Sequence, residues 1–320
     1  MDKVLNHLYD TGIIPVVKIE DPDKAVPLAK ALREGGISCA EITFRTSQAE
    51  EAIRNITDAL PDILVGAGTV LTTGQADRAI GAGAKFIVSP GLNPEVVRHC
   101  INRQIPVVPG CSNPSDIEEA LSFGIKVVKF FPAEAAGGVK YIKAISAPYS
   151  DIQFIPTGGI NEKNLNDYLS CPCVLACGGS WMVNEAWIKA GDFNKITELS
   201  RNAIKAMLGF ELAHVGINSE SAGQAGETAR LFSEIFGLEY RDGNSSIFSG
   251  TAVEVMKSPF RGKNGHIAFR TNSIKRAVAY MQSKGYKMDL ANAKKDAAGN
   301  PAAVYFEREI GGFAVHLVQK

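Results

Sequence analysis

Two side chains in this sequence have the type and setting to carry covalent chemistry on a carbonyl. The first lies in Lys126-Val127-Val128-Lys129-Phe130-Phe131-Pro132, an apolar, β-branched run around a lysine. Residues two apart on a strand share a face, so Val127, Lys129 and Phe131 lie together and Val128 and Phe130 lie opposite. If the first face lines a barrel lumen, the Lys129 amine is held among apolar neighbours, where desolvation disfavours the ammonium form. The neutral amine condenses with a ketone to an imine. The competing reading is a strand-end lysine that reaches past its neighbours to solvent. The second residue is Glu41, in Cys39-Ala40-Glu41-Ile42-Thr43. A carboxylate inside an apolar strand is costly unless it is paired or functional. Opposite an imine-forming lysine it serves as base for C–C cleavage and as acid for carbinolamine dehydration. Otherwise it is an ion-pair partner for Arg45 or for Lys129 itself.

These residues need elements to position them, and the first part of the chain supplies a regular alternation. Short Val- and Ile-rich runs fall at Ile13–Val17, Cys39–Thr43, 63–66, 86–89, 106–108, Val127–Phe130, 154–156 and 174–176. Helical patterns separate many of them, at 23–34, 48–59, Thr73–Gly81, 93–102, 114–123 and 162–169, often with Asp, Asn, Ser or Thr at the start and Gly near the end. Eight such alternations predict a (β/α)8 TIM barrel, with a doubly wound open sheet as the alternative. In a barrel the chemistry sits where strands end, which is where Lys129 and Glu41 fall. Thr157-Gly158-Gly159-Ile160-Asn161 and Gly178-Gly179-Ser180-Trp181 follow the seventh and eighth strands. Barrels often hold phosphate there, on backbone N–H groups that glycine leaves accessible. Taken alone, the same glycines also satisfy tight βα turns.

A helical pattern over 195–207 closes this region, and Leu208-Gly209-Phe210-Glu211 breaks it. Beyond it the order changes to strand (212–218), helix (224–236) and strands near 246–248 and 252–257. The order then repeats as strand (265–270), helix (273–285) and strands near 303–309 and 313–318. This is a repeated βαββ(β) unit, and the expected domains are 1–207 and 212–320.

Lys and Arg number 34, as do Asp and Glu, so the chain has no net charge and no basis for nucleic-acid binding. The first ten residues lack the apolar stretch of a signal peptide, and no run approaches the ~20 apolar residues of a membrane span. A cytoplasmic location is the expectation. All six cysteines precede residue 180, several in apolar runs, and read as reduced, mostly buried thiols. Cys171-Pro172-Cys173 is too short a spacing for a Cys-x-x-Cys metal or redox pair.

The sequence resembles the bacterial 2-keto-3-deoxy-6-phosphogluconate / 4-hydroxy-2-oxoglutarate aldolase family. The resemblance is carried, in order, by residues 12–17 (Gly-Ile-Ile-Pro-Val-Val), 40–46 (Ala-Glu-Ile-Thr-Phe-Arg-Thr), 66–70 (Gly-Ala-Gly-Thr-Val), 89–91 (Ser-Pro-Gly) and 109–110 (Pro-Gly). It continues at 128–134 (Val-Lys-Phe-Phe-Pro-Ala-Glu), 156–159 (Pro-Thr-Gly-Gly) and 178–182 (Gly-Gly-Ser-Trp-Met). It implies a usually trimeric barrel that cleaves a 2-keto-3-deoxy sugar acid to pyruvate and an aldehyde without metal. Lys129 matches the imine-forming lysine and Glu41 the general acid/base. Arg45, Thr69 and Pro90 match pocket positions near the pyruvyl group, with Arg45 suited to the carboxylate. Phe131 matches an apolar wall, and Gly158, Gly159, Gly179 and Ser180 the phosphate-contacting turns. Substrates in the family are 6-phosphogluconate- or 6-phosphogalactonate-derived acids or 4-hydroxy-2-oxoglutarate, and Ser180 with the paired glycines favours a phosphorylated one. The rival for the barrel is a phosphate-binding isomerase or synthase without a covalent intermediate.

Residues 212–320 resemble the vicinal-oxygen-chelate superfamily, an α+β fold of paired βαβββ modules that includes glyoxalase I. The carrying segments are residues 214–218 (His-Val-Gly-Ile-Asn), the helix 228–236 running into Phe-Gly-Leu at 236–238, 265–269 (Gly-His-Ile-Ala-Phe) and 311–318 (Gly-Gly-Phe-Ala-Val-His-Leu-Val). The resemblance implies one ligand from each of four strands, here His214, Glu254, His266 and His316. Such a set suits Zn²⁺, Ni²⁺, Mn²⁺ or Fe²⁺. His316 stands where many relatives have glutamate. This half is read either as a metal-assisted isomerase, epimerase or lyase or as a metal-free binding module.

Overall fold

The structure is a computed structural model that describes residues 2–320, leaving only Met1 outside. The chain divides into two compact units, the first ending at Met207 and the second spanning Leu208–Lys320.

The first unit carries eight parallel strands: β1 (Ile13–Val17), β2 (Cys39–Thr43), β3 (Leu64–Gly68), β4 (Ile87–Val88), β5 (Val107–Val108), β6 (Val127–Phe130), β7 (Gln153–Pro156) and β8 (Cys177–Gly179). Six of them form one sheet in the order β5-β4-β3-β2-β1-β8, and β6 pairs with β7. Isolated parallel bridges between Gly110 and Lys129, Phe154 and Val174, and Thr157 and Gly178 join the two pieces, so the strands run round a closed barrel. The helices are α1 (Lys3–Thr11), α2 (Ala25–Glu34), α3 (Ala49–Ala59), α4 (Thr73–Gly81), α5 (Pro94–Asn102), α6 (Pro114–Ser122), α7 (Gly138–Ser146), α8 (Leu165–Leu169), α9 (Glu185–Ala190) and α10 (Phe193–Leu208). Thr72, Asn93 and Asn113 cap α4, α5 and α6 through their side chains, and α5 and α6 begin on proline. These local signals made the three helices readable.

Two differences from the sequence reading have clear causes. Helix α7, which the patterns did not reveal, starts from Gly137 at φ 110 with no side-chain cap, so it lacks an N-terminal signal. The eighth strand was expected at 174–176, but the ladder to β1 falls on Cys177-Gly178-Gly179. Val174 contributes a single bridge, and glycines carry no side-chain pattern by which to read a strand.

The second unit is one eight-stranded sheet in the order β10-β11-β12-β9-β13-β16-β15-β14. The strands are β9 (Glu211–Asn218), β10 (Tyr240–Asp242), β11 (Ser246–Ser249), β12 (Val253–Met256), β13 (Gly265–Thr271), β14 (Met288–Lys295), β15 (Pro301–Phe306) and β16 (Phe313–Gln319). Helix α11 (Ala222–Phe236) follows β9 and α12 (Ile274–Ser283) follows β13. Each half is therefore strand–helix–three strands, and the halves meet where β9 and β13 pair antiparallel. In each half the first strand pairs parallel with the last, β9 with β12 and β13 with β16. The sequence reading gave two of the three later strands in each half. The missed strands, β10 and β14, are the sheet edges and are largely polar and exposed, so no alternation marks them. Ala225 and Ala229 of α11 are fully buried with Ile247 and Val255 of β11 and β12, their small size letting helix and sheet approach closely. Among the described residues no helix is long and apolar enough to cross a membrane.

Candidate active site

Glu41 and Lys129 stand on the second and sixth of eight strands, opposite one another around a closed barrel. Both are buried, at 3% and 6% exposure, and Lys129 Nζ donates to Glu41 Oε1 at 3.4 Å. The amine therefore points into the lumen and does not reach bulk solvent. Of the structural partners considered for Glu41, the geometry selects Lys129; Arg45 makes its contact elsewhere. Gly68 on β3 makes room for the carboxylate, because a Cβ there would collide with the Glu41 side chain. Lys129 Nζ also lies 5.6 Å from the centre of the Phe131 ring, which is itself 43% exposed at the rim.

One cavity of about 370 Å³ contains both groups. Its lining brings together Glu41, Lys129, Arg45, Thr69, Pro90, Phe131, Gly158, Gly159, Gly179 and Ser180. Val16, Thr43, Thr157 and Ile160 complete it. Arg45 donates through Nε to Thr43 Oγ1 (3.1 Å), which donates to Val17 O (2.8 Å). Among the described residues the Arg45 guanidinium has no carboxylate partner, so its other N–H groups are available to an anion. Thr69 holds φ 57, the left-handed region, and no glycine is there to relieve it. Thr157 Oγ1 is buried without a hydrogen-bond partner. Thr157 is not among the residues expected from the sequence; its signal there is a hydroxyl at a strand end directly before two glycines.

The second candidate site lies on four adjacent strands of the C-terminal sheet. Glu254 (β12) pairs in register with Gly216 (β9), which pairs with His266 (β13). His214, two residues before Gly216, pairs with Ala268, which pairs with His316 (β16). Period-two alternation puts all four side chains on one face. Glu254 Oε2 lies 3.0 Å from His266 Nε2 and 3.2 Å from His214 Nε2. Ser246 Oγ donates to Glu254 Oε1 at 2.6 Å. Burial pushes the Glu254 carboxyl up, but the His214 and His266 imidazoles beside it and the Ser246 hydroxyl outweigh it and hold the group well below the usual carboxylate range. Gly216 admits the His266 imidazole, which a Cβ would strike.

His214, Glu254 and His266 each offer a ligand atom, all within 4.8 Å of one another. His316 packs beside them, its ring centre 5.3 Å from that of His266 and 5.6 Å from that of His214, and stacks on Tyr305. Burial and the neighbouring imidazoles push the His316 ring down to about 3, so it is neutral.

A barrel with a buried lysine–glutamate pair in its mouth defines a class of enzyme, and comparison with known proteins places the chain within it. Residues 4–199 match the family described as KDPG and KHG aldolase, and the chain belongs to that family. It is 53% identical over 205 residues to the 2-dehydro-3-deoxy-phosphogluconate aldolase of Treponema pallidum, covering 64% of this chain and 98% of that one. It is 44% identical over 199 residues to the KHG/KDPG aldolase of Escherichia coli K12, covering 62% and 93%. Among solved structures it resembles the KDPG aldolase of Legionella pneumophila with pyruvate captured as a covalent carbinolamine intermediate. That likeness has a TM-score of 0.61 and 42% identity, covering 63% of this chain and 98% of that one. The Zymomonas mobilis aldolase with 3-phosphoglycerate gives 0.59 and 38%, covering 63% and 94%.

Proposed function

We propose that the first unit is a class I aldolase that cleaves a 2-keto-3-deoxy-6-phospho sugar acid to pyruvate and an aldehyde such as glyceraldehyde 3-phosphate. The observation that carries the reading is the buried 3.4 Å contact between Lys129 Nζ and Glu41 Oε1. Transfer of one proton across it turns an ammonium and a carboxylate into a neutral amine and a neutral acid, the two species that carbinolamine formation and dehydration need. Lys129 attacks C2 of the keto acid, and Glu41 protonates the departing hydroxyl to leave the imine. Glu41 then takes the C4 hydroxyl proton, directly or through a water, as the C3–C4 bond breaks into the protonated imine. The enamine is reprotonated and hydrolysed to pyruvate. Arg45 binds the carboxylate, Thr69 and Pro90 flank the pyruvyl group, and Phe131 shields it. Gly158, Gly159, Gly179 and Ser180 receive the phosphate, and the barrel uses no metal. Lys129→Ala tests the assignment: turnover falls by more than about a thousandfold, whereas a rate within tenfold of the parent supports an isomerase or synthase without a covalent intermediate. The family resemblance adds a homotrimer through the barrel, which light scattering at three chain masses checks.

For the second unit we propose a vicinal-oxygen-chelate fold that binds a divalent ion through His214, Glu254 and His266, with His316 beside them. The paired strand–helix–three-strand modules support the fold. The donor set fits the ion: ligand atoms about 2.1 Å from one centre lie about 3.0–3.4 Å apart, close to the 3.0 and 3.2 Å between Glu254 and the two imidazoles. His214 Nε2, His266 Nδ1 and His316 Nδ1 are also buried without hydrogen-bond partners. A bound ion supplies Lewis acidity toward a ligand carbonyl or hydroxyl. Zn²⁺, Ni²⁺, Mn²⁺ and Fe²⁺ all suit two imidazoles and a carboxylate. Ser246 and the histidines keep Glu254 ionised and oriented. Elemental analysis of protein purified without added metal tests this: one ion per chain, lost in His266→Ala, supports it, and a metal-free parent with a folded second unit leaves a binding module.

A further inference from the structure

We infer that Asn161 and Asn164 are positioning residues for the phosphate end of the substrate. They clamp the Gly159 carbonyl and so keep the successive backbone amides of Gly159 and Ile160 available to an anion. The inference rests on the reading that the substrate is phosphorylated.

In a planar trans peptide the carbonyl and the following N–H point in opposite directions, so fixing a carbonyl aims the next amide. The three carbonyls of Thr157, Gly158 and Gly159 are all fixed. Thr157 O accepts from Ala133 N at 2.8 Å and Gly158 O from Glu134 N at 3.1 Å, both on the stretch that follows β6. Gly159 O accepts from two side chains, Asn161 Nδ2 and Asn164 Nδ2, each at 3.2 Å. The amides turned the other way are those of Gly158, Gly159 and Ile160; the bridge between Thr157 and Gly178 sets the first of them toward Gly178 O, whereas the Gly159 and Ile160 amides meet no acceptor among the described residues. All three residues line the cavity that holds Lys129. Successive unpaired amides in a glycine turn form an anion-binding concavity.

The Gly159 clamp is the vulnerable member of the set, because it is made by side chains alone. Gly158 and Gly159 sit at φ 99 and 81, where glycine moves freely and an unclamped peptide can rotate. The two asparagines also fix each other. Asn164 Oδ1 accepts from the Asn161 amide at 2.8 Å, which leaves Asn164 Nδ2 as the atom facing Gly159 O. Asn161 Oδ1 accepts from the Lys163 amide at 3.0 Å. Neither side chain lies among the cavity-lining residues, so their effect passes through the peptide they hold.

The test compares a phosphorylated substrate, 2-keto-3-deoxy-6-phosphogluconate, with unphosphorylated 4-hydroxy-2-oxoglutarate, and uses inorganic phosphate as competitive inhibitor. Asn164→Ala raises KM for the phosphorylated substrate and the inhibition constant of phosphate by about tenfold. The kcat values and KM for the unphosphorylated substrate change less than about twofold. Asn164→Asp preserves the shape and the acceptor for the Asn161 amide, but sets a carboxylate against the Gly159 carbonyl, and has at least the same effect. A parent enzyme that neither prefers the phosphorylated substrate nor responds to phosphate contradicts the phosphate reading itself. A parent that does both, with folded variants that retain its preference or weaken both substrates equally, overturns the positioning role.

Discussion

Thr69 occupies the left-handed backbone region at φ 57 while lining the cavity, and replacing it with glycine separates stability from activity. A non-glycine residue held there costs about 1–3 kcal/mol, and a β-branched one is a clear outlier. Glycine removes that strain and gives back roughly 0.5–1 kcal/mol through the freer unfolded chain. The net gain for Thr69→Gly is about 1 kcal/mol, which in a unit of 207 residues raises Tm by about 2–4 °C. This runs against the usual sign, since most substitutions destabilise. The same change removes a hydroxyl and a methyl from the lining of the cavity that holds Lys129 and lowers kcat/KM about tenfold. Thermal unfolding followed alongside steady-state aldol cleavage reads both quantities. A Tm that falls by more than about 2 °C refutes the strain argument, and unchanged kcat/KM removes Thr69 from the substrate site.

Two further expectations follow from the packing of the barrel. Gly68→Ala places a methyl against the Glu41 carboxylate, so turnover falls by about 10²–10⁴ and stability by about 1–3 kcal/mol; retention of parental kcat in this variant counts against Glu41 as the proton relay. Burial pushes the Cys39 and Cys111 thiols up to about 12 and Cys100 up to about 11. In the unfolded chain these thiols ionise near 9, so the folded state binds more protons above that pH. Their contribution to stability is complete below pH 9 and is lost as pH rises toward 11–12; denaturant midpoints that stay flat from pH 8 to 11 contradict it.

Much of the barrel was legible because its signals are local. Ile13–Val17, Cys39–Thr43, Val127–Phe130 and Thr73–Gly81 occur in the structure with the bounds that apolar runs and caps predict. Among the elements that escaped, α7 behind Gly137 has no capping side chain and the glycine-built β8 has no apolar pattern. The same holds at the site. A lysine and a glutamate in apolar strands are conspicuous in sequence, whereas the hydrogen bonds that aim the Gly158–Ile160 amides join residues whose types are ordinary in any loop. Gly68 and Gly216 were unreadable for a related reason: their role is the space they leave for a side chain on the neighbouring strand. The four C-terminal residues were found through resemblance, and strand register explains why they share one face.

The central claim is that Lys129 forms an imine with the keto acid. Borohydride reduction of the full chain in the presence of pyruvate, followed by peptide mass mapping, tests it directly. The account predicts a reduced pyruvyl adduct on Lys129 and none in Lys129→Ala. A folded protein that gives no adduct, or an adduct confined to another lysine, contradicts it.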